Sequence, residues 1–133
     1  MARLYDIESK FTTHEFSCPC GCGFGSDPDD VSEDLITRLN FVRYLYGYPL
    51  VVTSGARCID YNRDVGGVDN SAHTPDPENG QCQAVDLLIR SGGDRARLIQ
   101  LALDMQFARL GVAQSFLHLD VATHLPTPTI WTY

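Results

Sequence analysis

The sequence is short of positive charge: 10 lysine and arginine residues stand against 17 aspartate and glutamate residues, and the net charge is -7. Proteins that bind DNA or RNA through the phosphates need clustered basic side chains, so this composition argues against a nucleic-acid partner. The sequence also contains no run of about 18 apolar residues, the length that a membrane-spanning helix needs. We therefore expect neither nucleic-acid binding nor a transmembrane segment.

The first 16 residues, MARLYDIESKFTTHEF, lack the basic-then-apolar pattern of a secretory signal peptide. This predicts a protein that is cytoplasmic at synthesis. No internal repeat or low-complexity segment divides the 133 residues, of which 44% are hydrophobic. A chain of this length and composition suits one compact domain with its own core, and we expect a monomer with a single domain over residues 1–133.

The cysteines are five in number, and three of them crowd into the segment SCPCGCGF as Cys18, Cys20 and Cys22. In a cytoplasmic protein, free thiols or metal ligands are more common than disulfides. The C-x-C-x-C spacing differs from the C-x-x-C of common zinc sites. Two interpretations stay open: a structural metal site completed by Cys58 or His14, or thiols without a metal in an irregular N-terminal segment over residues 1–28.

Hydrophobic periodicity and turn residues predict a simple order of elements: helix, strand, irregular loop, strand, helix, strand. The predicted helices cover residues 31–47, ending at Gly47, and 91–111, with Asp94 as N-cap. The predicted strands lie within residues 49–55, 82–89 and 111–122, the last as a strand or hairpin. The tail HLPTPTIWTY contains two prolines and is unsuited to a central strand. This order predicts an α+β fold in which helices pack on a small, mostly antiparallel sheet.

Two ionisable residues interrupt apolar segments that otherwise look buried, namely Asp86 in AVDLLI and His118 in FLHLDV. A buried carboxylate is costly unless it is paired or bound to a metal. With His73, which twelve residues separate from Asp86, they would make a three-ligand site with an open fourth position, as in catalytic zinc. From spacing alone, hydrogen bonding without a metal is the more common explanation for a histidine and an aspartate on separate strands.

The motifs around these residues form an ordered series. They are Ser54-Gly55-Ala56-Arg57, Asn62 ahead of Val65-Gly66-Gly67, Ser71-x-His73, Ala84-x-Asp86 and His118-x-Asp120. From about residue 14 to the C-terminus, the sequence thereby resembles the zinc D-alanyl-D-alanine carboxypeptidase family and its relatives of the hedgehog/DD-peptidase fold. The resemblance implies an α+β fold of that type, one catalytic Zn2+, and hydrolysis of peptide bonds in peptidoglycan stem peptides or crosslinks.

The resemblance also implies roles for individual residues. His73, Asp86 and His118 match the zinc ligands of the family. Arg57 matches an arginine that faces the substrate, where its planar fork would hold a peptide carboxylate or an oxyanion. Ser71 would line the site or hold His73 in place.

Two further residues are assigned with alternatives. Asp120 would be either the general base that takes a proton from zinc-bound water or a partner that orients a zinc ligand. Trp131 would either close the core or form a wall of the substrate site. We include Asp120 with Arg57 as predicted catalytic residues, and Arg57, Ser71 and Trp131 as predicted substrate-binding residues.

The sequence departs from the family pattern in three places. Ser115 stands where many relatives have an acidic residue, three positions before the last histidine. The segment TPDPENGQ lengthens the loop between His73 and Asp86, and we expect a surface insertion there. Cys82 replaces an expected glycine, and would be either a small buried apolar residue or a thiol near the metal.

The predicted function is therefore that of a zinc peptidase acting on the bacterial cell wall, of a phage or prophage type. Such an enzyme would reach the wall after release from the cell or as part of a virion. The alternative is a module of the same fold without catalytic activity, stabilised by zinc, that acts in binding or in a phage structure.

Overall fold

A computed structural model describes residues 9–133; the first eight residues of the predicted N-terminal segment lie outside the described residues. Helices and strands alternate irregularly along the described chain. The helices are α1 (Thr13–Phe16), α2 (Glu33–Tyr46), α3 (Ile59–Asp64) and α4 (Gly92–Asp104), and a short 3-10 turn spans Pro28–Asp30. The strands are β1 (Val52–Ser54), β2 (Ala84–Leu88), β3 (Arg109–Val112), β4 (Phe116–Asp120) and β5 (Thr129–Thr132).

All five of these strands form one sheet in the order β1-β2-β4-β3-β5. Neighbouring strands are antiparallel, with the exception of β3 and β5, which are parallel. The predicted α+β class with a mostly antiparallel sheet is confirmed. Strand β5 lies at an edge of the sheet, where the preceding Pro126 and Pro128 interrupt no central ladder of hydrogen bonds.

One face of the sheet is covered by helices and is apolar. Helix α2 packs against α4, and α4 packs against β4. Side chains from these elements form one buried cluster that includes Leu35, Leu39, Leu98, Leu117 and Leu119. Because successive side chains of a strand point to opposite faces, the residues between these leucines face the other side of the sheet. That second face carries the polar residues.

Helix α2 ends at Gly47 as the sequence predicts, and it begins at Glu33, two residues later than expected. The hydroxyl oxygen of Ser32 accepts a hydrogen bond from the backbone N–H of Leu35 and caps the helix. Gly47 ends it in the left-handed conformation, with φ of 83°. Because that conformation strains residues with a Cβ atom, glycine is the usual residue at this position.

Helix α4 differs from the prediction at both ends. Its N-cap is Ser91, whose hydroxyl accepts from the backbone N–H of Asp94, so the prediction of Asp94 as N-cap is wrong. The helix ends at Asp104, and Gln106 turns the chain with a φ of 63°. The next residues form β3 and not the last helical turn, because pairing between β4 and β5 buries Leu110 completely.

The long segment between β1 and β2 was predicted to be irregular, and helix α3 within it is a correction. Cys58 caps this helix, since its sulfur accepts a hydrogen bond from the backbone N–H of Tyr61. Six residues are too few for a periodic pattern to be recognised. Among the helices of residues 9–133, none combines the length and the apolar character needed to cross a membrane.

Candidate metal centre

The candidate site is built on one row of residues that crosses the whole sheet. Ser54 pairs with Asp86, Asp86 with His118, His118 with Gly111, and Gly111 with Trp131. These residues share the face that the helices leave open. The register of the strands thus brings Asp86 and His118, which lie far apart in the sequence, directly opposite each other.

His73 joins this row from the loop that follows α3. The hydroxyl oxygen of Ser71 accepts the backbone N–H of His73, at 3.2 Å. The ring atom Nδ1 of His73 lies 2.7 Å from the carbonyl oxygen of Gly55. A Cβ atom at Gly55 would lie 2.8 Å from the backbone of Phe16, so glycine is required where these two chain segments pass each other. Ser71 therefore lies where it was predicted, beside His73.

The loop before His73 is held by the motif residues. The side-chain oxygen of Asn62 accepts from Arg57, and its amide nitrogen donates to the carbonyl oxygen of Val68. A Cβ atom on Gly67 would lie 2.1 Å from that side-chain oxygen, which explains a glycine at this position. The backbone N–H of Arg57 in turn donates to the carbonyl oxygen of His73, at 3.0 Å.

Three ligand atoms converge in the centre of the site. The Nε2 atom of His73 lies 3.2 Å from Oδ1 of Asp86 and 3.2 Å from Nδ1 of His118. The distance from Nδ1 of His118 to Oδ1 of Asp86 is 2.9 Å. All three side chains are buried, with 2%, 6% and 5% of the surface of His73, Asp86 and His118 exposed. The predicted metal ligands are therefore brought together.

The outer nitrogens of both histidines determine where the protons lie. Nδ1 of His73 faces the carbonyl oxygen of Gly55, and Nε2 of His118 lies 2.7 Å from Oδ2 of Asp120. Carbonyl and carboxylate oxygens accept hydrogen bonds, so both outer nitrogens carry a proton in the neutral rings. Three lone pairs, from two imidazole nitrogens and one carboxylate oxygen, then point at one another. A cation among these lone pairs, either a proton or a metal ion, relieves their repulsion, and this donor set suits Zn2+.

The pKa shifts of the three candidate ligands differ in direction. Burial lowers the pKa of His73 below its usual value and keeps the ring neutral. Burial alone would raise the pKa of Asp86, but the contacts with His118 and His73 outweigh it and lower that pKa. For His118 the carboxylates of Asp120 and Asp86 outweigh burial and raise the pKa. A proton therefore competes with a metal for Nδ1 of His118.

The carboxylate of Asp120 contacts three groups on the outer side of His118. Besides its contact with Nε2 of His118, it accepts a hydrogen bond from Nε of Arg109 at 2.8 Å and from the backbone N–H of Ala122 at 3.1 Å. Only 1% of its surface is exposed. The carboxylate thus lies behind the ligand histidine and holds it in one orientation.

A cavity of about 690 Å3 opens over the three ligand atoms. The predicted residues Arg57, Ser71 and Trp131 line it together with the candidate ligands. The indole ring of Trp131 packs against His118, with ring centroids 5.2 Å apart, and lies beneath the guanidinium group of Arg109. The structure therefore places every predicted site residue in or directly beside one cavity.

The guanidinium group of Arg57 is fixed by three side chains. Its Nε donates to Ser54 at 2.9 Å, one terminal nitrogen donates to Asn62 at 3.2 Å, and the other donates to Asp86 at 3.3 Å. The group is therefore held beside a candidate metal ligand. Its orientation is set before any substrate binds.

Two features of the site were not predicted from the sequence. Arg109 pairs with Asp120 across the strands, and Gly111 leaves the space into which the indole of Trp131 fits, since a Cβ atom there would lie 2.7 Å from that ring. Both features depend on the register of β3. The sequence pattern predicts a helix that includes residues 109–111, so this register could not be derived from it. With the correct register, the signal would have been a basic residue on β3 directly opposite a buried acidic residue on the neighbouring strand β4.

Two of the three departures from the family pattern, Cys82 and Ser115, lie outside the group of candidate ligands. Cys82 is fully buried, and its thiol donates to the carbonyl oxygen of Ala84. Burial raises the pKa of this thiol to about 12, so it is a protonated, apolar residue and not a reactive one. Ser115 is exposed in the turn between β3 and β4.

Comparison with known proteins agrees with the geometry. The family model of Peptidase M15 matches residues 9–120, which include all three candidate ligands. Among curated proteins, no match to the sequence is found. Peptidases of this family use zinc, and the buried group of two histidines and one aspartate is a fitting site for it. The chain belongs to the Peptidase M15 family and is a zinc-dependent peptidase.

Proposed function

We propose that this peptidase hydrolyses peptide bonds of bacterial peptidoglycan, and that it acts as a carboxypeptidase on D-Ala-D-Ala ends of stem peptides. The observation that carries this proposal is the position of Arg57, a fixed cation beside the candidate ligand Asp86. Hydrolysis of a crosslink within the same polymer is the alternative cleavage. The resemblance to zinc D-alanyl-D-alanine carboxypeptidases supports the choice of substrate.

Arg57 has donors to spare for a substrate. A guanidinium group carries five N–H groups, and the three contacts seen among the described residues leave one on each terminal nitrogen. Two parallel N–H donors of this kind bind a carboxylate in a bidentate manner. A free carboxylate at the end of a stem peptide would therefore bind with the adjacent peptide bond near the ligand atoms.

The candidate ligands would hold the metal ion that the reaction needs. Zn2+ held by His73, Asp86 and His118 would supply an activated water molecule and would polarise the scissile carbonyl group. By accepting the hydrogen of Nε2, Asp120 fixes the neutral ring of His118 in the tautomer whose lone pair lies on Nδ1. Arg109 forms an ion pair with Asp120 and so compensates the charge of this buried carboxylate. These contacts support the second of the two predicted roles for Asp120, that of a positioning residue.

The remaining predicted residues would form the substrate walls. The ring of Trp131 offers an apolar surface to the methyl side chains of a substrate, and Ser71 adds a polar group next to His73. We infer that both contact the stem peptide. Their positions at the same cavity as Arg57 support this inference.

Purified muropeptides test the proposal. Incubation of the zinc-loaded protein with pentapeptide muropeptides and with crosslinked dimers, followed by mass spectrometry, is expected to show release of D-alanine. Arg57→Ala should abolish this release, whereas Arg63→Ala, a change at an exposed arginine on α3, should leave it intact. Cleavage of the crosslink alone would overturn the carboxypeptidase assignment. Zinc binding without any turnover would favour the alternative of a binding or phage structural module.

We also propose a biological setting that follows from this substrate. Peptidoglycan lies outside the cytoplasmic membrane, and release at cell lysis or transport by a virion would bring the protein to it. A phage or prophage origin would provide both routes. Detection of the protein in purified virions or in the medium at lysis would support this setting, and strict retention in intact cells would contradict it.

A further inference from the structure

Four cysteine sulfur atoms converge at a second place in the fold. The sulfurs of Cys18, Cys20, Cys22 and Cys58 all lie within 4.8 Å of one another. The sulfur of Cys20 is 3.5 Å from that of Cys18 and 3.7 Å from that of Cys58. Tetrahedral zinc with Zn–S bonds of about 2.3 Å requires sulfur separations of about 3.8 Å, whereas a disulfide requires about 2.05 Å. The spacing therefore fits four thiolates around one ion.

The backbone explains how the unusual C-x-C-x-C spacing can bring three sulfurs together. Gly21 and Gly23 have φ angles of 81° and 97°, in the left-handed region that residues with a Cβ atom rarely adopt. The loop is closed where the backbone N–H of Cys18 donates to the carbonyl oxygen of Phe24, at 2.8 Å. With a glycine after Cys20 and another after Cys22, the chain turns sharply at each step. The three side chains consequently face one centre.

Backbone N–H groups also point at three of the sulfurs. The N–H of Cys58 lies 3.4 Å from the sulfur of Cys18, that of Phe24 3.5 Å from Cys22, and that of Tyr61 3.3 Å from Cys58. Hydrogen-bond donors of this kind stabilise thiolates, and around a metal site they fix the orientation of the ligands. Cysteine is usually a buried residue, yet Cys20 and Cys22 are exposed. Metal ligation accounts for two such thiols in a surface turn.

We propose that Cys18, Cys20, Cys22 and Cys58 bind a structural Zn2+ ion, separate from the ion of the His-Asp-His site. A closed set of four sulfur ligands leaves no position for a substrate or water. Of the two interpretations that the sequence leaves open, this selects a metal site, and it selects Cys58 over His14 as the fourth ligand. The inference is independent of the proposed function, because it concerns metal content and not turnover.

The position of this cluster indicates what the ion would stabilise. Cys58 follows Arg57 directly, and Pro19 of the cysteine turn lines the cavity above the candidate active site. An ion at the cluster would fasten the N-terminal turn to the segment that carries Arg57. It would thereby replace packing that this glycine-rich turn, with few apolar side chains, cannot supply.

Metal content of the full chain tests the proposal. Protein purified under reducing conditions with zinc is expected to contain two zinc ions per chain. The double substitution Cys20→Ser, Cys22→Ser should reduce this number to one, and so should His73→Ala. Cys82→Ala is the matched control, because this buried thiol lies outside the cluster, and it should retain two ions. One zinc per chain in the unsubstituted protein, lost on His73→Ala, would overturn the proposal.

The identity of the ligands is tested by cobalt substitution. Co2+ bound by several thiolates gives intense sulfur-to-metal charge-transfer absorption in the near ultraviolet, and we expect this band from the unsubstituted protein. It should persist in His73→Ala and disappear in the double cysteine variant. The spectrum of the unsubstituted protein decides the matter even if that variant does not fold. Absence of the band, iron in place of zinc, or a Cys20–Cys58 disulfide in the intact mass would contradict the proposal.

Discussion

At the scale of single residues, the site depends on which nitrogen of each histidine carries its proton. The carbonyl oxygen of Gly55 accepts from His73, and the carboxylate of Asp120 accepts from His118. Each partner directs a lone pair to the inside of the site. The contact of Asp120 with His118 therefore indicates that Asp120 orients this candidate ligand.

We predict that Asp120→Asn weakens zinc binding at the His-Asp-His site by about 10- to 100-fold, the usual effect of removing a partner behind a ligand histidine. The amide can donate as well as accept, and it no longer compensates the charge of Arg109. Competition with a chelator of known affinity measures the change. The comparison is best made in a chain with Cys20→Ser and Cys22→Ser, so that one site is titrated.

The same variant separates the two predicted roles of Asp120. A positioning residue changes the zinc affinity, and saturation with zinc then restores most of the activity. A general base leaves the affinity unchanged and lowers kcat at saturating zinc. The second result would assign Asp120 to proton transfer and contradict the role proposed from the structure.

A second residue-scale prediction concerns Gly111. Gly111→Ala places a Cβ atom 2.7 Å from the indole ring of Trp131, so the ring must move. We expect a destabilisation of about 1 to 3 kcal/mol, as for other overpacked positions, and a raised KM with zinc content unchanged. Gly93→Ala is a matched control, because its nearest neighbour is 3.8 Å away. Equal behaviour of the two variants in urea unfolding would show that Trp131 does not need this space.

At the scale of elements, the loop between His73 and β2 is stabilised by one buried carboxylate. Asp76 accepts the backbone N–H groups of Glu78, Asn79 and Gln81 at 3.1, 3.1 and 2.7 Å. Burial alone would raise the pKa of Asp76, but these three donors outweigh it and lower the pKa below its usual value of about 3.8. The predicted surface insertion is thus an ordered turn around a side chain.

The lowered pKa of Asp76 gives a pH-dependent prediction. The ionised carboxylate stabilises the folded state at every pH above about 3.8, and this contribution is lost as the pH falls through the lower value of the folded state. Asp76→Ala should therefore cost about 1 to 3 kcal/mol near neutral pH and much less near pH 2. Urea unfolding at both pH values measures this loss in the free energy of unfolding, with Asp64→Ala at an exposed site as the control. A cost that does not depend on pH would contradict this account.

The sequence predicted those elements whose cause is local. Helix α2 ends at the predicted Gly47, and the apolar residues around Asp86 indicated strand β2. Strand β3 was missed because Arg109–Val112 is short, and its conformation is decided by pairing with two other strands. Local patterns carry no information about such pairing.

The candidate site shows the same division. The types of His73, Asp86 and His118 and the motifs around them indicated a zinc site. The pairing of Arg109 with Asp120 and the space at Gly111 for Trp131 could not be predicted, because they depend on the register of β3 against β4 and β5. The sequence offered Cys58 and His14 as candidates to join the cysteine turn, and the choice of Cys58 required the tertiary structure.

At the scale of the whole molecule, metal binding and folding are coupled. The three buried lone pairs of the His-Asp-His site destabilise the folded chain when no cation lies among them. Free zinc at a thousand times its Kd stabilises a folded protein by about 4 kcal/mol, and 1 kcal/mol corresponds to about 4 °C for a domain of this size. We predict that a chelator lowers Tm by roughly 15 °C and that zinc restores it. An unchanged Tm would argue against metal ions as part of the fold.

We propose that His73, Asp86 and His118 hold the zinc ion with which this peptidase hydrolyses peptidoglycan peptides. The most direct measurement is the rate of muropeptide hydrolysis, together with zinc content, for the unsubstituted protein, Asp86→Asn and His14→Ala. His14 is an exposed histidine on α1 and serves as the control. The account predicts that Asp86→Asn loses one zinc ion and all turnover above background, while His14→Ala keeps both. Turnover that survives in Asp86→Asn without that ion would contradict it.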